Sequence, residues 1–593
     1  MAKGRVKTLY VSVVFSALLL QFPALAQLER AKIIRSDSVS LTQTEANQTQ
    51  PVEAKKSVVS TKESLQQLQA ALSSGVKPVF AEQLAQIYAD RQMQLIWQDE
   101  TAIQQFQQQL AELALAGFQP QFGEWLVALE NNQLNELGRD ALLSDAMLGY
   151  LHYLSGVKQN GEYWLYRKQP YKISAPTDAQ IKPWLTAVKE GHLSEWVNSL
   201  TPAHPLYQPM HKALLEQLAD EREWPVLTST STLKPGQSSD DVIALREILT
   251  RYNLLSASQP SSMVAVKADT DAIGNDVINT SEAANSPSSK EANRYDPELV
   301  AAVKKFQTMF GLEPDGLIGR GTKVWLNTTP QQKAGLMALN IQRLRIIPAS
   351  EGTGILVNIP AFTLDFYLND QSILSSKVIV GRPDRKTPIM SSALNNVVIN
   401  PPWNVPTSMT RKDIAPRGKQ DPSYFSRRGY TVYSGWGNDA SVIDPYSINW
   451  DEITPSNFPY RIRQAPGPTN SLGRYKFNMP SSDAIYLHDT PNHSLFNLNA
   501  RAISSGCVRV NKASELASIL LGDAGWDQQR IDGKLKQGDT GYVNIPDRIP
   551  VYLYYQTAWV EGEQPQYRAD IYQYDTSIGA AEKYLPAIKM ALH

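Results

Sequence analysis

The hydrophobic period of the chain changes near Gly354, and this change constrains the fold more than any other feature. Between residues 61 and 224, apolar residues recur every three or four positions, for example Leu65, Leu68 and Leu72, which indicates helices. Beyond Gly354 short apolar runs alternate with polar residues and are separated by Gly and Pro, which indicates strands. The chain has 593 residues. That is too many for a single hydrophobic core, so we expect several domains.

The first 26 residues have the pattern of a secretory signal. Lys3, Arg5 and Lys7 are followed by the apolar run Leu9–Leu20 and by the small-residue site Ala24–Ala26. This predicts export to the periplasm and cleavage of the signal. The alternative is an uncleaved membrane anchor, and a membrane contact is expected only in that case.

Charge and motif content exclude several classes of protein. The net charge is −1, with 57 Lys and Arg against 58 Asp and Glu, so no global field attracts nucleic acid. The histidines lack HxxH or HExxH spacing and there is one cysteine, so no metal site is predicted. No phosphate-binding GxxxxGK loop is present, and we predict no cofactor.

A short helical module is predicted between the two main regions. The stretch from Ala302 to Leu326, which includes the turn Gly311–Gly319, resembles the peptidoglycan-binding domain type 1 family. Residues 256–293 interrupt this module and are rich in Ser, Ala, Asn and Asp, which predicts a disordered insert. The alternative is a three-helix packing unit with no ligand. Leu336 to Ile347 then predicts an amphipathic helix that joins this module to the strands.

Two segments of the β region carry the predicted chemistry. The apolar run that begins at Ile485 ends in His488, and a small-residue turn, Ser504-Ser505-Gly506, ends in Cys507. A lone cysteine forms no internal disulfide, and a neighbouring imidazole is expected to lower the pKa of its thiol and to hold a thiolate–imidazolium pair ready for attack. Of the seven histidines, His488 and His493 are near Cys507 in sequence. We prefer His488 as the base because it closes a strand, whereas His493 lies in a predicted loop.

The spacing of these residues resembles the catalytic signature of the L,D-transpeptidases. In that family a histidine is followed after 14–17 residues by Ser/Thr-His-Gly-Cys, an apolar residue, and Asn or Arg. Here the signature is His488 followed by Ser504-Ser505-Gly506-Cys507-Val508-Arg509, with Ser505 in place of the second histidine. The segment from Val380 to Pro388 is similar to an early family motif. The whole layout is similar to the large YcbB-like branch of the family, which carries a peptidoglycan-binding module.

The resemblance implies a peptidoglycan L,D-transpeptidase. Cys507 would attack the bond after residue three of a tetrapeptide stem, with His488 as its base, and release D-alanine. The side-chain amine of diaminopimelate in an acceptor stem would then resolve the thioester and give a cross-link between two third residues. The resemblance also implies sensitivity to carbapenems. The predicted partners are the donor and acceptor stems, together with other proteins of cell-wall synthesis.

Supporting roles are predicted for further residues. The N–H groups of Cys507 and Gly506, in the turn that also contains Ser505, are candidates for an oxyanion hole. A backbone carbonyl, such as that of Asp489, is preferred over the Asp489 carboxylate as the group that orients His488, because adjacent side chains on a strand point to opposite faces.

Three more side chains are candidates for substrate binding. Arg509 shares a strand face with Cys507 and is expected either to bind a stem carboxylate or to form a structural ion pair. Tyr486 shares the face of His488, and Trp403 could wall the site. Core packing explains both aromatic residues equally well.

Other functions remain open from the sequence. Water as the acceptor would make the chain an L,D-carboxypeptidase, a free D-amino acid would make it an exchange enzyme, and a protein lysine would make it a protein-anchoring enzyme. A non-catalytic wall-binding scaffold and a cysteine protease are further alternatives, although the local signatures of such proteases are absent.

The predicted fold class is multidomain, with a mainly α scaffold, a small three-helix module and a mostly β catalytic domain that contains a long inserted loop or subdomain. The predicted boundaries are 1–26 for the signal, 27–60 for a flexible tether, 61–233 for the helical scaffold, 234–328 for the peptidoglycan-binding-like module, 329–351 for a linker helix, 352–555 for the catalytic domain with a substrate-capping insert at about 407–475, and 556–593 for a C-terminal extension.

Overall fold

The computed structural model describes residues 58–72, 76–256, 293–349, 352–437, 439–454 and 457–593. The predicted signal segment, nearly all of the predicted tether and the predicted insert lie outside these residues. The described residues form a helical N-terminal region, a short helical module and a β-rich C-terminal domain, which confirms the predicted fold class. None of the helices in these ranges combines the length and apolar character needed to cross a bilayer.

The N-terminal region is a set of helices whose ends are capped by side chains and whose connecting segments are held by buried carboxylates. Ser60 and Glu63 form a capping box at the first helix. Buried Asp140 accepts hydrogen bonds from the Ile96 and Trp97 N–H groups at 3.0 and 2.7 Å, and so fixes a segment without regular structure against the longest helix. The helices are Thr61–Ala71, Ala81–Asp90, Glu100–Leu115, Gln121–Leu129, Glu136–Trp164, Asp178–Glu190, Leu193–Asn198 and Tyr207–Ala219.

The short module is built on the helices Asp241–Arg251, Pro297–Met309 and Arg320–Asn327. The buried amide of Gln307 accepts from the Gly316 N–H at 2.9 Å and donates to the Leu317 carbonyl at 3.0 Å. These bonds hold the turn in which Gly316 adopts a φ of 76°. The turn thereby packs onto the second helix of the module.

The helix that follows the module is buried on all sides, unlike the amphipathic helix predicted there. It spans Pro330–Arg343 and continues as a 3-10 turn, Leu344–Ile346, and all its residues from Lys333 to Arg343 are buried. The charge of Arg343 is compensated by Asp575, whose carboxylate lies 2.7 Å from it. Because that partner comes from the far end of the chain, a local period does not reveal it.

The C-terminal domain is organised around a nine-stranded mixed sheet with the order β11-β3-β12-β10-β9-β4-β13-β1-β2. Helices Ala513–Asp523 and Gln528–Gln537 lie between β12 and β13 in the chain. The strands in the described residues are β1 Gly354–Asn358, β2 Thr363–Leu368, β3 Gln371–Gly381, β4 Met390–Ile399, β5 Trp403–Asn404, β6 Tyr430–Tyr433, β7 Val442–Ile443, β8 Arg461–Gln464, β9 Tyr475–Asn478, β10 Leu487–His488, β11 Ala502–Ser504, β12 Val508–Val510, β13 Gly541–Tyr554, β14 Ala558–Glu561 and β15 Gln564–Tyr567.

The predicted insert is a small ordered subdomain with its own core. A four-stranded sheet, in the order β5-β8-β6-β7, packs with short helices around Phe425, Trp450 and Ile462. We call the described residues of 403–472 the cap. Its helical segments are Thr407–Met409, the π-helix Thr410–Ile414, Ala415–Gln420, Ser423–Arg427 and the 3-10 turn Pro445–Ser447.

The last residues of the chain return to the helical region. After the β14–β15 hairpin, the Ser577 hydroxyl donates to the Ala116 carbonyl at 2.8 Å. The terminal helix Leu585–Leu592 packs against Glu100–Leu115 and Gln121–Leu129. The C-terminal segment therefore joins the helical region to the β domain.

Candidate active site

Two neighbouring parallel strands bring the predicted site residues to one face of the sheet. In the register of β10 and β12, Leu487 lies opposite Val508 and His488 lies opposite Arg509. The Val508 N–H donates to the Tyr486 carbonyl at 3.2 Å, which extends this register by one residue. Because side chains alternate along a strand, Tyr486 and His488 share a face with Cys507 and Arg509.

These four side chains line a cavity of about 450 Å³ between the sheet and the cap. Trp403 and Ser505, which the sequence also singled out, line the same cavity. Gly506 lies in the turn beside it. The fold therefore brings together all seven of the predicted residues, although their chemical roles remain predictions.

The ring of His488 is fixed by a backbone carbonyl. Its Nδ1 lies 2.5 Å from the Asp489 carbonyl oxygen, so Nδ1 carries the proton and donates it there, which leaves Nε2 as an acceptor. The Asp489 carboxylate points elsewhere, where it accepts from the Arg474 N–H at 2.8 Å and pairs with His493 at 3.1 Å. His493 is not among the residues that line the cavity.

Burial keeps both reacting groups neutral at rest. It lowers the pKa of His488 to about 3, with a further decrease from the positive charges of Arg509 and Lys476. Burial also raises the pKa of the Cys507 thiol, and contacts with Tyr486 and the same two cations only partly oppose this rise. The sequence-based expectation of a preformed thiolate–imidazolium pair is therefore wrong for the resting site.

The thiol contacts a backbone carbonyl in the resting site. Its Sγ lies 3.8 Å from the Ala484 carbonyl oxygen. Within the described ranges no hydrogen bond joins this sulfur to the His488 ring. Catalytic hydrogen bonds are often absent or long without substrate, and rotation of the cysteine about its Cα–Cβ bond redirects the sulfur. The thiol must leave the Ala484 carbonyl before it can transfer its proton to His488.

Two cations beside the thiol lack acidic partners. Lys476 lies opposite His488 in the antiparallel pairing of β9 with β10, and its Nζ is 4.1 Å from the centre of the Tyr486 ring. The buried Nε of Arg509 has no hydrogen-bond partner. Neither side chain forms an ion pair with any residue that the structure describes, so the structural ion pair considered for Arg509 is absent there. The site carries uncompensated positive charge that suits an anionic ligand.

The turn Ser504–Cys507, which we call the cysteine turn, differs from the prediction in one donor. The Gly506 N–H donates to the Ser504 hydroxyl at 3.1 Å, and that hydroxyl donates to the Cys507 carbonyl at 2.7 Å. The Gly506 N–H is therefore engaged inside the turn. The Cys507 N–H donates to no residue in the described parts of the chain, so it is the available donor. Gly506 has a φ of 121°, a conformation that side chains other than glycine rarely adopt.

The cap closes one side of the cavity. Trp403 lies at its start, on β5, and the Tyr486 hydroxyl contacts both the Trp403 side chain and the Cys507 sulfur. Arg385, from the loop after β3, pairs with Asp413 of the cap through a 3.0 Å contact and donates to the Ser505 hydroxyl at 3.2 Å. One guanidinium thus connects the cap to the cysteine turn.

Sequence reasoning missed Lys476, Arg385 and Asp413. Alternation along β9 predicts which residues share a face with Lys476. That Lys476 lies opposite His488, however, follows only from the pairing of β9 with β10 in the fold. Arg385 and Asp413 lie in segments without a regular period. The described residues contain no group of three or more His, Cys, Asp or Glu side chains that is arranged to hold a metal ion.

Comparisons with known proteins match these regions of the chain. A model described as "YkuD: L,D-transpeptidase catalytic domain" matches residues 352–543. A "Scaffold domain" model matches residues 82–214, and a "Putative peptidoglycan binding domain" model matches residues 282–326. These three matches correspond to the β-rich domain, the helical region and the short module.

Individual proteins match as well. A Haemophilus influenzae protein described as "Putative L,D-transpeptidase" is 35% identical over 500 residues, which cover 84% of this chain and 79% of that protein. A further match is to the crystal structure of an L,D-transpeptidase (residues 123–326) from Xylanimonas cellulosilytica. The two sequences are 13% identical, and the match covers 55% of this chain and 100% of that chain. Its TM-score of 0.17 is too low to support any conclusion about the fold. The identity with the Haemophilus protein extends through all three regions, and on that evidence the chain belongs to the L,D-transpeptidase family.

Proposed function

We propose that this L,D-transpeptidase forms a thioester on Cys507 and uses it to link the third residues of two peptidoglycan stems. The observation that carries the proposal is the placement of Cys507 and His488 on one face of paired parallel strands, inside a cavity covered by the cap. His488 has a free Nε2 lone pair there, because its Nδ1 proton is held by a carbonyl.

In the first half-reaction, His488 Nε2 takes the thiol proton and the Cys507 sulfur attacks the carbonyl carbon of residue three. The tetrahedral intermediate collapses as the C–N bond breaks. D-Alanine leaves as a neutral amine because His488 returns the proton to it. A C–S bond has replaced the C–N bond, and the total charge of the enzyme is unchanged.

The carbonyl oxygen becomes an anion during this step. The Cys507 N–H is the donor available in the cysteine turn, and one such donor contributes about 10²–10³ in rate. Lys476 and Arg509 add positive charge around the same atoms. Since the cavity is partly shielded from water, this charge stabilises an anion more strongly than it would in bulk solvent.

In the second half-reaction, the diaminopimelate amine of an acceptor stem attacks the thioester. The amine gives its proton to His488, the C–S bond breaks, and the departing thiolate recovers the proton. The product is a 3–3 cross-link. Water, a free D-amino acid or a protein lysine would resolve the same thioester to different products, and the identity of the product distinguishes these acceptors.

Arg509 supports recognition of a stem carboxylate. It is a half-buried cation whose buried Nε has no hydrogen-bond partner and which has no acidic partner among the described residues, an arrangement that a ligand with negative charge would relieve. The signal pattern of residues 1–26 and the match to a peptidoglycan-binding module support action on the wall in the periplasm.

Analysis of digested cell wall tests the function. Strains that overproduce the wild type or Cys507→Ala are compared by mass spectrometry of their muropeptides. We expect 3–3 cross-linked dimers from the wild type and none above background from the variant. Accumulation of tripeptides without such dimers would instead identify an L,D-carboxypeptidase.

Covalent labelling separates an enzyme from a non-catalytic wall-binding scaffold. A carbapenem should add one adduct mass to the purified wild type through attack of the Cys507 sulfur on the lactam carbonyl. The adduct should be missing from Cys507→Ala and greatly slowed in His488→Ala. Absence of an adduct on a folded wild-type protein would refute the proposed cysteine chemistry.

A further inference from the structure

The buried side of the cysteine turn is bound by residues that take no direct part in the proposed chemistry. The Thr387 hydroxyl donates to the Gly506 carbonyl at 2.7 Å and accepts from the Gly381 N–H at 2.8 Å. Thr387 itself is completely buried. Because an N–H group can only donate, the single hydroxyl proton of Thr387 is left for the Gly506 carbonyl.

This contact fixes the direction of the proposed oxyanion donor. The Gly506 carbonyl and the Cys507 N–H belong to one planar, trans peptide group and therefore point in opposite directions. A hydrogen bond that holds the carbonyl against Thr387 also holds the N–H on the opposite side. The turn offers little rigidity of its own at this point, because Gly506 has no side chain to restrict rotation.

The C-terminal segment holds Thr387 in place. The Thr387 N–H donates to the Tyr572 hydroxyl at 3.0 Å, and this hydroxyl donates to the Gly381 carbonyl at 2.6 Å. Thr387 and Tyr572 therefore each bind Gly381, which closes a network of four hydrogen bonds with the Gly506 contact. A Cβ on Gly381 would lie 2.6 Å from the Thr387 nitrogen, so only glycine permits this close approach.

Tyr572 is itself firmly positioned. Its N–H donates to the Tyr555 hydroxyl at 3.0 Å, and its carbonyl accepts from Lys386 Nζ at 2.7 Å. Tyr572 lies beyond residues 352–543, the part of the chain that matches the catalytic domain of the family. The orientation of the cysteine turn thus depends on a residue outside that matched domain.

We propose that Thr387 and Tyr572 are positioning residues that hold the Cys507 N–H toward the developing oxyanion of the substrate. The inference rests on the proposed thioester chemistry. The alternative is that the network only stabilises the fold, in which case it would affect every reaction of Cys507 equally.

Two reagents distinguish these roles. A carbapenem acylates a thiol through a carbonyl and forms an oxyanion, whereas iodoacetamide alkylates it by displacement of iodide and forms none. Both reactions require the same sulfur to be accessible and ionised. A change in the accessibility or ionisation of the sulfur alters both rates alike and leaves the ratio of acylation to alkylation unchanged. The ratio therefore reports how well the oxyanion donor stabilises the developing charge.

The variants are made in the full chain. Thr387→Val removes the hydroxyl with little change in shape, and Thr387→Ser restores it. Tyr572→Phe removes the supporting hydroxyl but leaves Thr387 intact. Tyr574→Phe is the matched control, because Tyr574 lies in the same segment and its hydroxyl has no hydrogen bond within the described residues.

For Thr387→Val we expect the ratio to fall by about 10-fold to 100-fold, somewhat less than the loss of a whole donor. Thr387→Ser should return it to within about threefold of wild type. Tyr572→Phe should lower it about 3-fold to 10-fold, and Tyr574→Phe should not change it. If Thr387→Val fails to fold, the ratio for Tyr572→Phe decides the question.

An unchanged ratio in a folded Thr387→Val or Tyr572→Phe variant would overturn the positioning role. This holds whether both rates stay at the wild-type level or both fall in parallel, which is the behaviour of a purely structural network. Failure of the wild type to be acylated at Cys507 would instead reject the proposed function, so the two failures are distinguishable.

Discussion

Two arginines with opposite surroundings, one buried and one half-buried, provide a direct test of the proposed carboxylate site. Arg343 is fully buried and lies 2.7 Å from the Asp575 carboxylate. Arg509 has a buried Nε without a partner and no acidic partner among the described residues. If Arg509 is kept for a substrate anion, Arg509→Met should impair catalysis without harming the fold, whereas Arg343→Met should harm the fold.

The expected magnitudes follow from these contacts. A hydrogen bond to a charged group contributes about 1.5–3 kcal/mol, so loss of the substrate contact should lower kcat/KM about 10-fold to 150-fold. Arg509→Met leaves no acid unpaired, so the free energy of unfolding should stay within about 1 kcal/mol of wild type or rise. Arg343→Met leaves Asp575 as an uncompensated buried charge, which should cost about 3–5 kcal/mol.

The assay compares two donor stems. D-Alanine release is measured with a tetrapeptide stem and with the same stem carrying an amide in place of the diaminopimelate carboxylate, while chemical unfolding is followed by tryptophan fluorescence. Wild type should prefer the carboxylate stem by about the same 10-fold to 150-fold, and Arg509→Met should lose this preference. Lysine at this position should restore only part of it, because it lacks the planar fork of arginine. A preference retained by Arg509→Met, or a loss of stability as large as that of Arg343→Met, would refute the reasoning.

Four other experiments test the site. Since His488 has a pKa near 3 in the fold, its neutral form should contribute stability that is complete above its ordinary value of 6.5 and is lost as the pH falls toward 3. Acid unfolding of His488→Asn should therefore depend less steeply on pH in that range, and an unchanged slope would count against the burial. The raised pKa of the Cys507 thiol should make its alkylation rate increase into the alkaline range, without a step near pH 6.5. Asp413→Asn removes the ionic contact with Arg385, which contributes about 1 kcal/mol at this partly exposed position. Amide hydrogen exchange in the cap should therefore increase about fivefold in this variant. An exchange rate equal to that of the wild type would show that the contact does not hold the cap. Gly506→Ala forces a side chain into a φ of 121° and should destabilise the turn by about 1–3 kcal/mol. The variant should therefore lose carbapenem acylation, and acylation at the wild-type rate would contradict this expectation.

Local sequence patterns predicted the elements that carry the chemistry. His488 ends an apolar run and Cys507 follows a small-residue turn, and both features survive as the end of β10 and the approach to β12. The period of two also predicted that Arg509 shares a face with Cys507. These inferences succeeded because they depend on residues close together in the chain, where alternation alone determines direction.

Features that depend on distant residues were not predictable in this way. Thr387 and Tyr572 are separated by 185 residues, and the threonine lies in a family-like motif that indicates no partner. The preformed ion pair was predicted wrongly because burial, which only the fold reveals, opposes charge on both His488 and Cys507. The buried helix Pro330–Arg343 appeared amphipathic for a related reason, since its residues Asn340 and Arg343 bind Thr557 and Asp575 from the far end of the chain.

The neutral resting site and its two unpaired cations form one electrostatic arrangement. Lys476 and Arg509 favour the thiolate and the oxyanion, yet the same charges disfavour protonation of His488. A stem carboxylate bound to Arg509 would cancel much of the charge that opposes protonation of the imidazole, so we expect the bound substrate to make His488 a stronger base. Without substrate the thiol stays protonated, and a protonated thiol is less readily oxidised than a thiolate. The same carboxylate would also remove part of the charge that stabilises the thiolate, so Lys476 would be left as the cation that favours the sulfur anion and the developing oxyanion.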